Sequence, residues 1–143
     1  MYEMPYWISG LTIPEISSHL ADHGLECEGP YPRGETMSSW DCRPPSAAGS
    51  LEREVAIVGQ NPERIRTVTA RLSDQNEMPP EEAAVDFLGF VATLPYEGAD
   101  PGQARQWVEE NVASGGKLTI GTASFELYDE EKARVLRIVA AGS

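Results

Sequence analysis

Only two histidines occur in this 143-residue chain, His19 and His23, and they stand four residues apart. On a helix that spacing puts both imidazoles on one face, as a two-histidine metal pair requires. The intervening Leu20-Ala21-Asp22 lacks the general-base glutamate of a zinc protease helix. Adding Cys27 and Cys42 would complete a nominal two-histidine, two-cysteine zinc set without recognisable ligand spacing. The cysteines are more economically explained by each other, so no metal and no cofactor is expected.

Three readings of Cys27 and Cys42 stay open: a structural disulfide, two reduced core thiols, or a redox or metal role. No CxxC pair supports redox chemistry. If a hairpin turn centres on Gly34-Glu35, Cys27 falls opposite Cys42, and directly opposed antiparallel residues come within bridging range. The disulfide is therefore expected, and with it an extracytoplasmic or secreted location, with a cytoplasmic one as the alternative.

Hydrolytic constellations are poorly represented. Ser38, Ser39 and Asp41 flank Trp40 without a glycine-serine elbow, and both histidines lie near the amino end. Gly115-Gly116 and Gly121 do not form a phosphate-cradling loop leading into a helix. Carboxylates are too abundant for one glycosidase-type pair to stand out.

Charge placement carries more information. The net charge is −12, from 23 acidic against 11 basic residues, which argues against binding a nucleic-acid backbone. Between residues 74 and 113 nine acids face Arg105 alone, whereas residues 114–143 balance. A surface carrying Glu81, Glu82, Glu109 and Glu110, with Tyr96 as an anchor at its margin, could dock a protein with a basic surface. The same charge equally serves as a solvated, solubilising face. Nine of the eleven bases are arginine, a bias associated with GC-rich bacterial genomes.

The elements that must position these groups are legible from their start and stop signals. Thr12 with Glu15 forms a capping box, Pro14 occupies the first turn, and Gly24 ends a helix striped by Ile13, Ile16 and Leu20. Strands are expected at Leu25–Glu28 and Thr36–Arg43 around a turn-rich Pro30–Glu35 loop. A hairpin follows, Arg53–Gly59 and Arg64–Ser73, after a Pro44–Ser50 loop. Pro79-Pro80 opens a largely buried helix that runs to Leu94, and Asp100 caps a second that stops at Gly115-Gly116. Strands at Lys117–Ile120, Ala123–Tyr128 and Arg134–Ala140 close the chain. Tyr2, Tyr6 and Trp7 should pack on the body or add an edge strand.

The fold class this predicts is α+β: an antiparallel seven-stranded sheet with helices on one face, in the order α-β4-α-α-β3, within a single domain spanning 1–143. No apolar run is long enough to span a membrane. A weak repeat relates residues 12–73 to 79–143, with Trp40 and Phe125 equivalent. At fold level this plan resembles the tandem arrangement of secreted β-lactamase inhibitor proteins and of TATA-binding-protein-like folds, without a motif of either, so no function comes with it.

The expected function is a non-enzymatic binding or interaction domain. Two alternatives are an acidic inhibitor or decoy that blocks a basic site, and a small ligand carrier or enzyme with a helix–sheet pocket. Oligomeric state is not legible.

Overall fold

The computed structural model describes residues 7–46 and 51–141. The expected packing of Tyr2 and Tyr6, and residues 47–50 of the proline-rich loop, lie outside them. The order is α1 (Ile13–Ala21), β1 (Glu26–Arg33), β2 (Met37–Arg43), β3 (Leu51–Asn61), β4 (Arg64–Asp74), α2 (Glu81–Val91), α3 (Pro101–Asn111), β5 (Gly116–Ile120), β6 (Ala123–Glu130) and β7 (Ala133–Ala140). All seven strands form one antiparallel sheet in the order β1-β2-β3-β4-β7-β6-β5.

Strand periodicity decides which side is covered. Cys42, Val55, Ala70 and Leu136 lie in register across four strands, and all four are buried. Their neighbours Asp41, Ala56, Thr69 and Arg137 form the adjacent row and point the other way. Ile16 and Leu20 of α1, Leu88 and Val91 of α2, and Trp107 and Val108 of α3 join the buried strand residues in one apolar cluster. Each large side chain so buried stabilises the fold by about 1.5–3 kcal/mol before entropy is subtracted.

Local signals explain the helix ends. The Thr12 hydroxyl accepts the Glu15 N–H, and Gly24 takes a positive φ of 77° after α1. Pro80 stands at the cap of α2 without a side-chain hydrogen bond, and Asp100 Oδ1 accepts the Gln103 N–H of α3 at 3.1 Å. Helix α2 ends at Val91, short of the expected Leu94, although Leu94 is itself buried.

The largest departure from expectation is β1. The sequence predicts a loop over Pro30–Glu35, yet the strand runs through Pro30 and Pro32 to Arg33 and pairs Tyr31 with Ser39. The reason is position: β1 is an edge strand, where a proline's missing N–H costs no ladder bond. The loop shrinks to Gly34, Glu35 and Thr36.

Residues 8–11 pack on the body. Ile8 and Leu11 are buried, the Ile8 N–H donates to the Ile65 carbonyl at 2.8 Å, and the Ser9 carbonyl accepts the Glu97 N–H.

Candidate functional site

Helices α2 and α3 form an antiparallel hairpin. Its ends are fixed by Arg134 of β7, whose Nε donates to the Pro79 carbonyl at 2.7 Å and whose guanidinium also reaches the Val112 carbonyl at 3.4 Å. These contacts set the start of α2 beside the end of α3. Glu81 and Glu82 in the first turn of α2 and Glu109 and Glu110 in the last turn of α3 thereby share one end of the hairpin, all four exposed.

The two pairs differ energetically. Glu81 and Glu82 meet the positive end of their helix dipole, which favours them; Glu109 and Glu110 stand where the dipole favours cations, and the last turn of α3 holds none. The penalty, about 0.3–1 kcal/mol for each exposed charge, is only partly offset locally. Arg105 Nε approaches Glu109 at 3.7 Å, and Gln106 donates to Glu110 at 3.4 Å. Helix stability alone therefore does not account for Glu109 and Glu110.

Tyr96 sits elsewhere. It lies in the connector at the opposite end of the hairpin, half-buried, with its hydroxyl donating to the Ile120 carbonyl at 2.8 Å and its ring tilted against Phe125 at 6.2 Å. Burial, and secondarily the Asp100 carboxylate, pushes its phenol up to about 12. The connector is pinned further by Thr122, whose hydroxyl donates to the Glu97 carbonyl, and by the close approach of Gly98 to Gly121. Tyr96 thus holds the helices to the β5–β6 turn and does not join the four glutamates.

The histidines act as a clamp between helices. The His23 ring centres 3.5 Å above that of Phe90, squarely over one face, which leaves the opposite face to His19, stacked at 4.5 Å. His19 Nε2 lies 3.1 Å from both the Phe90 carbonyl oxygen and Thr93 Oγ1, and the Thr93 hydroxyl donates to the same carbonyl. With an aromatic ring between them, the two imidazoles cannot converge on one ion. Among the described residues, no three His, Cys, Asp or Glu side chains are grouped to hold a metal.

Cys27 and Cys42 are bridged, as the proposed hairpin register requires, with Cα atoms 3.9 Å apart and Cys42 fully buried on the helix side of the sheet. Ser38 and Ser39 pair with Gly59 and Val58 on β3. No buried side-chain polar atom among the described residues lacks a partner.

No protein-family model matches the chain, and neither a curated protein nor a solved structure proves similar to it. The likeness in plan to β-lactamase inhibitor proteins and TATA-binding-protein-like folds therefore finds no counterpart in these comparisons.

Sequence reasoning overlooked Arg134 as the residue that aligns the hairpin. Its signal is present: Arg134, Leu136, Ile138 and Ala140 alternate on the core side of β7, and the arginine is the one charged member of that row. A charge at a core-facing position needs acceptors, which the Pro79 carbonyl ahead of α2 and the orphan Val112 carbonyl at the end of α3 provide.

Proposed function

We propose that this chain is a non-enzymatic binding domain, extracytoplasmic, that docks a protein with a basic surface on the acidic end of its helical hairpin. The observation that carries the reading is the grouping of Glu81, Glu82, Glu109 and Glu110, two of them held against an unfavourable helix dipole. A Cys27–Cys42 disulfide fits an oxidising compartment, and no described helix is long and apolar enough to cross a membrane. A partner that lost its own activity on binding would make the domain an inhibitor or decoy acting through the same surface. A nucleic-acid partner is disfavoured by the charge of −12.

The two halves are further read as α-β repeats, 12–73 and 79–143. Strands β1-β2-β3 and β5-β6-β7 each run inward from an edge, with Trp40 and Phe125 buried on the second strand from each edge. This order supports the reading, with β4 as the extra strand between the halves.

The experiment uses a lysine-rich peptide as a cationic probe at low ionic strength, where surface electrostatics are strongest. Reversing Glu81, Glu82, Glu109 and Glu110 to Lys should weaken binding by about tenfold or more. Reversing Glu26, Glu28, Glu52 and Glu63 to Lys, an equal change of net charge on β1, β3 and the β3–β4 turn, should weaken it far less. Equal losses would mean that only net charge matters, and the reading would be lost.

A further inference from the structure

We propose that the cleft where the end of α1 and the faces of α2 and α3 meet the β3–β4 ribbon binds a small amphipathic anion, a monocarboxylate carried on an aromatic or short aliphatic body. The cavity has a volume of about 300 Å³, at the small end of ligand sites. Leu72 and Phe87 are buried at its base, and Leu51 and Ala83 extend the apolar wall. Arg53 enters from β3, Arg105 from α3, His23 from beyond the end of α1, and Asp86 from α2.

Charge decides what the cleft prefers. Arg105 is the only base between residues 74 and 113, in a chain of net charge −12, and it lines this cleft. Its side chain lies over Gly89, where an alanine methyl would stand 3.4 Å from Arg105 Cγ. A glycine inside a helix costs about 1 kcal/mol relative to alanine, so Gly89 gives up helix stability where the arginine stem crosses. Arg105 keeps only a long, exposed contact with Glu109, and Arg53 has no carboxylate within 4.0 Å among the described residues. Within the lining two guanidiniums stand against one carboxylate, Asp86, above an apolar floor, while Glu109 reaches Arg105 from outside the lining. A guanidinium fork matches a carboxylate in two parallel hydrogen bonds. His23 is fixed by its stack on Phe90 and shapes the third side of the cleft.

None of the four glutamates lines this cleft, although Glu109 pairs with Arg105 at its rim, so either reading can fail alone. The test titrates naphthoate into the full-length protein and follows proton–nitrogen correlation spectra. Saturable shifts should appear at the amides of Ala83, Asp86 and Phe87 and at the guanidinium N–H groups of Arg53 and Arg105. Neutral naphthylmethanol should bind at least about tenfold more weakly, as should naphthoate to an Arg53→Gln/Arg105→Gln variant. Asp86→Asn, which removes the opposing charge, should tighten naphthoate by about two- to fivefold. Both arginines are solvent-accessible, so the double variant should keep its thermal midpoint; if it does not, Ala83→Trp, which fills the cleft, should abolish binding instead. Equal affinity for the alcohol, arginine variants that bind as the parent does, or shifts confined to another surface would each overturn the assignment.

Discussion

Arg134 Nε and the Pro79 carbonyl, 2.7 Å apart, join the last strand to the residue before the α2 cap. The arginine side chain is only 12% exposed, and its second acceptor is the Val112 carbonyl at the cap of α3. Its carboxylate contact, Asp129 at 3.7 Å, is long and open to solvent. Hydrogen bonds from a charged donor contribute about 1.5–3 kcal/mol each, whereas exposed ion pairs contribute about 0–1. Arg134→Met should therefore cost about 2–4 kcal/mol in denaturant unfolding, and Asp129→Asn about 0.5 kcal/mol or less. Similar losses for both would assign the stability to the ion pair and refute the role given to the carbonyls.

The disulfide makes a second prediction. Cys27 and Cys42 are 15 residues apart, and closing a loop of that size stabilises by about 3 kcal/mol in the chain-entropy account. Intact mass after alkylation should show no modified thiol before reduction and two afterwards. Cys27→Ala/Cys42→Val, which keeps an apolar group at the buried Cys42 position, should lower stability by about 2–3 kcal/mol. Two thiols that alkylate without reductant would remove both the bridge and the case for export.

That bridge shows how much of the fold was legible, and why. A turn centred on Gly34-Glu35 predicts Cys27 opposite Cys42, and the pair is found, but by a different route. The actual turn pairs Arg33 with Met37, one residue out of step, and the register shift between Glu28 and Tyr31 restores the alignment. Caps and glycine stops were readable because they are local. The prolines of β1 were misleading because only the sheet order makes that strand an edge. The histidine pair was ambiguous in sequence because its partner, Phe90, lies 71 residues from His19. The four glutamates were visible as composition; their grouping depends on Arg134, which no local pattern links to Pro79 and Val112.

A third prediction concerns the hairpin connector. Gly121 has φ 59°, and a Cβ there would stand 2.4 Å from the Gly98 carbonyl oxygen. That atom is backbone, held by the Glu97 N–H bond to Ser9 and by Thr122. Gly121→Ala should cost at least about 2 kcal/mol, from the left-handed conformation and the clash together. Gly34→Ala, at a positive φ of 81° with open space around it, should cost about 1–2 kcal/mol. Equal effects would show that the close approach contributes nothing.

Alkaline pH isolates the contribution of Tyr96. Its phenol is raised from 10.0 to about 12, first by burial and then by the Asp100 carboxylate, and its O–H donates to the Ile120 carbonyl. The folded state thus holds this proton more tightly than the unfolded chain does. Linkage then gives the sign: the stabilisation is fully present below about pH 10 and is lost as pH rises through about 12. Tyr31 is also raised, chiefly by the Glu28 carboxylate, but it is exposed and its hydroxyl reaches only Glu28 of the same strand. Tyr96→Phe should cost about 0.5–1.5 kcal/mol at neutral pH, the net worth of one hydrogen bond. The gap between the parent and Tyr96→Phe, measured by urea unfolding at successive pH values, should close between about pH 10 and 12. Curves that stay parallel through that window would mean that the Tyr96 hydroxyl does not tether the connector to β5.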